Sequence, residues 1–237
     1  MKSKQVKRNL VLGVLFFLPV LFLLFLYPAK HNYDPLEVVK ENINELQFFS
    51  SNNESKIELT NHITILSFLG NKPLNHVIAA SNLKELVYDK FKGFKRFQIV
   101  IVLPKGTEEE VKQLRKEINN YDDMRFWHYV YGEPNDIKNL FNSLNTDEAL
   151  DVNLSTEKVF IIDKDLSQRG RLDDREDKEK EKQMAVYGLN SYDCIEVAEI
   201  KNKMSDDLRI LFTEYRQKRK GNFDSSKRRA GDLKAED

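Results

Sequence analysis

The chain has 237 residues with 38 basic and 38 acidic side chains, so its formal net charge is zero. That excludes a strong long-range field for gathering nucleic acid, while the length suffices for one domain with a real core plus extra segments. A single cysteine, Cys194, excludes an internal dithiol, and the four histidines, at 31, 62, 76 and 128, lack a ligand spacing such as His-x-x-x-His, so a histidine–cysteine metal site has no support.

The N-terminus opens with the basic "MKSKQVKR" and continues into "LVLGVLFFLPVLFLLFLY", residues 10–27, which carry no charge. At about 1.5 Å per residue that run spans ~27 Å, close to the hydrocarbon core of a bilayer. A cleaved signal peptide has a shorter apolar region and ends in an Ala-x-Ala-like site, which "YPAKH" does not match. The reading is therefore a cytoplasmic N-terminus (1–8) and an uncleaved anchor (9–27) in which Pro19 is tolerated. Basic charge before the anchor predicts a single-pass protein of the cytoplasmic (inner) membrane, with its domain outside.

Residues 28–54, with Pro28, Pro35 and "SSNNESK", read as a juxtamembrane spacer, with helical character in "PLEVVKENINEL". A domain over 55–220 follows as alternating blocks. "ITILSF" (63–68) is strand-like. "LNHVIAASNLKELVYDKF" sets Leu74, Val77, Ile78, Leu83, Leu86 and Val87 mostly on one helical face. "FQIVIVLP" (97–104) is a continuous apolar run suited to a buried strand. In "GTEEEVKQLRKEIN", Thr107 and Glu110 fit a capping box, and Val111, Leu114 and Ile118 form the apolar stripe. "RFWHYVY" (125–131) reads as a strand with Trp127, His128, Tyr129 and Tyr131 alternating between core and sheet surface. "EPNDIKNLFNSL" is a short helix with Pro134 in its first turn, and "KVFIID" (158–163) is another strand. The charged run 172–183 reads as a solvated loop or an exposed helical hairpin, the loop being favoured, and its Asp173, Asp174, Glu176 and Asp177 lack the spacing of a calcium loop. "SYDCIEVAE" reads as a last strand. "SDDLRILFTEYRQKRKG" is a helix capped by Ser205 and closed by basic residues and Gly221, and 221–237 reads as a disordered tail. This alternation predicts an α/β sheet covered by helices on both faces, a thioredoxin-like three-layer sandwich on one N-terminal transmembrane helix.

Two segments carry a family resemblance. "SFLGNKPLNHVIAASNLKELV" resembles the active-site segment of the Sco/SenC proteins, membrane-anchored thioredoxin-fold proteins that help load copper into cytochrome c oxidase. "VFIIDKDLSQRGRLD" resembles that family's later strand and turn through Phe160, Ile162, Asp163, Lys164, Asp165, Arg169 and Gly170. The N-terminal anchor agrees, and the likeness covers roughly residues 55–215. The family's two cysteine positions fall near Pro73 and Val77, and its histidine position near Ser155, so all three of its metal ligands are replaced. Copper(I) selects thiolate and thioether donors, and a dithiol reductase needs an attacking and a resolving thiol, so neither chemistry is expected and no cofactor is implied.

What remains is an exposed loop with Gly70, Asn71, Lys72, Pro73, Asn75 and His76 as a candidate interaction surface. His76, a lone histidine, reads as a polar-contact residue, and Cys194 as a buried, inert thiol or else one that pairs with another chain. The sequence thus suggests a non-catalytic, membrane-anchored protein whose partner is another protein, in the setting of respiratory oxidase assembly, with no nucleic-acid role. Rival readings are a thiol oxidoreductase working through Cys194 alone, which requires that thiol to be exposed and acidic, and a structural envelope protein.

Overall fold

The computed structural model describes residues 2–26, 35–51, 56–119 and 124–219. The chain divides into two units, Met1–Asp34 and Pro35–Asp237. The apolar N-terminus forms α1 (Lys2–Leu26), with Pro19 inside it. Its stretch Gln5–Leu24, of mean hydropathy 1.9, is long and apolar enough to cross a membrane. The rest of the expected anchor, His31, part of the expected spacer, Gly221 and the tail lie outside the described residues.

The second unit is built on one mixed sheet. In chain order its strands are β1 (Glu37–Lys40), β2 (Ser50–Ser51), β3 (Ile63–Leu69), β4 (Phe97–Pro104), β5 (Trp127–Gly132), β6 (Ser155–Ile162), β7 (Gln168–Gly170) and β8 (Tyr192–Asp193). They lie in the order β1-β7-β6-β3-β4-β5-β2, with β8 also on β6. β3, β4 and β5 run parallel, and β6 runs antiparallel to β3 and folds back through β7. The sequence-predicted strands 63–68, 97–104 and 158–163 are therefore neighbours, with Ile65 opposite Ile99 on one side and Ile161 on the other.

Alternation along each strand feeds two cores. Ile63, Ile65 and Leu69 of β3, Ile99 and Ile101 of β4, and Val159 and Ile161 of β6 face one core, which α2 (Val77–Leu83), α4 (Glu108–Ile118) and α7 (Ser205–Arg219) cover with Leu83, Leu114 and Leu211. Leu66, Phe68, Val100, Val102, Phe160 and Ile162 face the other, closed by α5 (Pro134–Asn142) and by Ile43, Leu46 and Leu59. Phe68, Phe141 and Phe160 pack edge to face there, with centroids 5.3 to 6.3 Å apart. This three-layer arrangement, with a terminal hairpin and a closing helix, is thioredoxin-like.

Several local readings change. Residues 35–51 are part of the domain, and "PLEVVKENINEL" is not helical. β1 extends the sheet beyond β7, β2 pairs with β5, and Leu36, Ile43 and Leu46 are buried. Thr107 makes no capping box; its hydroxyl donates to the Pro104 carbonyl at 2.9 Å. The helix through residues 73–91 begins as a 3-10 turn (Pro73–His76), and a π-helical turn (Lys84–Tyr88) separates α2 from α3 (Asp89–Phe91). Within α2 the buried face is Ala79, Ala80 and Leu83, and Ile78 lies off it, 67% exposed. "SYDCIEVAE" gives only the short β8 before a π-helical segment (Glu199–Met204) that runs into α7, so Ser205 caps nothing and donates to the Ile200 carbonyl. The charged run contains the short α6 (Asp177–Glu181), and its Asp173 and Asp174 are matched by Arg175 and by Arg171 with Lys203.

If residues 35–51 belong to the core, Ile43→Ala lowers unfolding stability by about 2–4 kcal/mol, as for other buried aliphatic truncations. Urea unfolding reads this directly; a midpoint equal to wild type would return the segment to a spacer. Val100→Asp places an unpaired carboxylate in the same core and prevents two-state folding altogether; a cooperative transition in that variant would put β4 at the surface.

Candidate functional site

β3 delivers the chain to the site at Leu69, which pairs with Ser155 of β6. Gly70 then turns with φ +64°, and a Cβ at that position would lie 2.2 Å from the Asn153 carbonyl oxygen. Only glycine combines that backbone angle with that approach. The Asn71 N–H donates to the same carbonyl at 2.9 Å, so loop and turn are joined at the backbone.

The turn is organised by Asp151. Its Oδ1 accepts from the Asn153 N–H, the Ser155 N–H and the Ser155 hydroxyl at 2.8 to 2.9 Å, and its Oδ2 from the Asn153 side-chain amide at 3.1 Å. Slight burial acts to raise the Asp151 pKa, but the hydrogen bonds from Ser155 and Asn153 outweigh it and hold the carboxyl below its usual range. Ser155, at the family's histidine position, is buried, with its hydroxyl committed to Asp151.

Of the six loop residues named from sequence, Gly70 and Pro73 are buried and shape the turn, Asn71, Lys72 and Asn75 face solvent, and His76 is half-buried. His76 Nδ1 lies 3.0 Å from Glu157 Oε1 on β6, which ties the start of the helix to the sheet. The Glu157 carbonyl accepts from the Cys194 N–H at 2.9 Å, and the Cys194 carbonyl accepts from the Asn82 side chain of α2 at 2.9 Å. The strand-to-helix loop, the turn at 151–155, β6 and residue 194 are thus linked by hydrogen bonds. Ile78, Val152 (95% exposed), Ile195 and Val197, carried on or next to these segments, are all solvent-exposed. Pro73 is buried and Val77 half-buried against the core, so neither projects a side chain into that face as a donor.

Cys194 is 2% exposed, and burial, reinforced by Asp193, Glu157 and Glu199, pushes its thiol pKa far up. Thiolate chemistry needs the reverse. Trp127 and Tyr131 are buried and His128 and Tyr129 half-buried on β5, away from this face, in the core and sheet-surface roles read from the sequence.

Sequence reasoning missed Asp151, Glu157 and the apolar set. "DVNLS" carries a legible Asx-turn signal. Glu157 meets His76 across 81 positions and leaves no local signal.

No protein-family profile and no curated protein matches the chain. Among solved structures it is similar to BsSco, described as a member of the Sco family of cytochrome c oxidase assembly proteins, at 13% identity over 77% of this chain and 99% of that one, with a TM-score of 0.45. It is similar to a putative protein disulfide isomerase from Bacteroides thetaiotaomicron at 11% identity, over 75% of this chain and 94% of that one, with a TM-score of 0.45. Yeast Sco1 with copper bound is 10% identical over 73% of this chain and 83% of that one, with a TM-score of 0.38.

The depressed Asp151 pKa has a signed consequence. Its folded value lies below its unfolded value of about 4, so its contribution is present above pH ~4 and is lost as pH falls through the folded value. The stability gap between wild type and Asp151→Ala should be largest near neutrality and close at strongly acid pH; a gap independent of pH would remove the carboxylate from the turn.

Proposed function

We propose that this is a non-catalytic, membrane-anchored, thioredoxin-like protein that acts by binding another protein through the face around residues 70–76. The observation that carries the reading is the state of the three ligand positions. Pro73 is buried, Val77 packs on the core, and the Ser155 hydroxyl is held by Asp151, while the one thiol is enclosed behind Asn82 and Glu157. The exposed residues of the loop are Asn71, Lys72 and Asn75, and Ile78, Val152, Ile195 and Val197 on the adjoining segments are exposed as well. A rigid, partly apolar platform suits protein recognition. The sequence resemblance to Sco/SenC proteins suggests assembly of a respiratory oxidase as the setting. The anchor would be α1, with the domain on the extracytoplasmic side of the inner membrane, as the basic residues before it suggest.

Copper(I) titration against a competing chelator tests the non-catalytic half of this reading. The full-length protein in detergent should take up no more copper than the Cys194→Ala/His76→Ala variant. A one-to-one complex that survives the chelator and disappears in that variant would restore a metal-carrying role.

A further inference from the structure

A cleft of about 350 Å³ lies on the α5 side of the sheet, the side away from α2. One wall is α5 and the other is the segment 44–49. Hydrogen bonds join the walls. The Asn44 N–H donates to the Ser143 hydroxyl at 3.1 Å, and the Asn44 side-chain amide to the Asn139 carbonyl at 3.0 Å. Glu45 fixes the same segment to residues 59 and 60. Its carboxylate accepts from the Leu46, Leu59 and Thr60 N–H groups and from the Thr60 hydroxyl at 2.7 to 2.9 Å. The Phe49 N–H closes a turn on the carbonyl of the buried Leu46 at 3.1 Å. Phe49 itself lies over Gly132, where a Cβ would be 2.5 Å from its ring. The cleft is thus built in advance, as small-molecule sites usually are.

The turn leaves Phe48 65% exposed at the cleft. On the other wall Asp136, Asn139 and Asn142 follow one another in i, i+3 steps along α5. That spacing sets successive side chains about 5–6 Å apart on one side of the helix. Among the described residues, the side chains of Gln47, Asp136, Asn139 and Asn142 make no hydrogen bond within the protein. Three of these four are amides, and each amide offers two donors and an acceptor. No described Lys or Arg lines the cleft, and Glu45 is already committed, so Asp136 is its one unmatched charge. A phosphate or carboxylate ligand would meet that charge with nothing to balance it. A wholly apolar ligand would strip water from the amides and give them no partner.

We infer that this cleft binds a neutral saccharide unit. A sugar ring has an apolar C–H face and a rim of hydroxyls that both donate and accept. The C–H face suits the negative face of the Phe48 ring. The hydroxyls suit the amides of Gln47, Asn139 and Asn142, with Asp136 as a further acceptor. The inference stands apart from the face around residues 70–76, and from any role of α1. The cleft is shallow, so a single unit should bind with Kd about 1 mM.

The test uses full-length protein in a detergent without a sugar headgroup, studied by saturation-transfer NMR. The probes are the methyl glycosides of glucose, galactose, mannose and N-acetylglucosamine, with a trisaccharide of each. Methyl glucuronide and a blocked tripeptide amide serve as charged and non-sugar controls. At least one neutral sugar should receive saturation at its ring C–H protons. Binding should weaken roughly fivefold in Asn139→Ala/Asn142→Ala and in Phe48→Ser. Phe48→Leu, which keeps an apolar side chain and removes the flat ring, should weaken it too, so the result does not depend on one variant folding. Val186→Ser, which removes an exposed apolar side chain outside the cleft, should leave it unchanged. A trisaccharide held more tightly than its single unit assigns the ligand to a glycan chain, and equal binding assigns it to a free or terminal unit. Failure of every neutral sugar to bind, binding unchanged in the Phe48 and Asn139/Asn142 variants, or equal binding of the glucuronide or the tripeptide would overturn the inference.

Discussion

The domain is organised around a buried guanidinium. Arg169 on β7 is 1% exposed, and its three donors reach Asp163 at the end of β6, the Leu36 carbonyl before β1, and Glu214 on α7. Burial alone would lower its pKa, but Asp163 and Glu214 outweigh that and raise it. Lys218, at the solvent edge, pairs with Glu214, so the group as a whole holds two positive and two negative side chains. Breaking one partner of such a group costs about 3–5 kcal/mol, because the survivor is left without compensation. Three parts of the chain far apart in sequence are fixed relative to one another by this one side chain.

A second ionic group extends the same logic. Arg171 binds Asp207 through Nε and Nη2 and Asp174 through Nη1, Lys203 joins Asp174, and the Tyr192 hydroxyl donates to Asp207 at 2.6 Å. Together the two groups fasten the hairpin and the segment 171–193 to α7. Both act away from residues 70–76. Support for the strand-to-helix loop comes instead from the β3–β6 register, Gly70 and the Asp151 turn. None of these supports depends on the side chains at 73 or 77.

The parts legible in the sequence were those with dense local signals. Runs such as "FQIVIVLP" are buried on both faces and can be little else than central strands. Asp163 and Arg169 were marked by the resemblance, but their partners Leu36 and Glu214 are 133 and 45 positions from Arg169. Residues 35–51 hid their role because Ile43 and Leu46 are isolated apolar side chains among Asn and Glu, and their burial depends on docking against α5. Ile78 was misplaced for a different reason: within α2 it lies about 140° around the helix from Leu83 at 100° per residue, so the buried face of Ala79, Ala80 and Leu83 leaves it outside. At the site, the loop itself was legible, while Glu157 and the exposed Ile195 and Val197 come from strands and turns that only the tertiary structure brings beside it.

The central claim is that the face around residues 70–76 is a binding platform. Photo-cross-linking in native membranes tests it most directly, with the reactive side chain placed at Asn75 on the face and, as a control, at Glu117 on α4, both exposed. The account predicts a discrete protein adduct from position 75 that is absent from position 117 and is lost when Ile78 and Ile195 are changed to Asp. Equal adducts from both positions, or none from position 75 while the protein is present and folded, would contradict it.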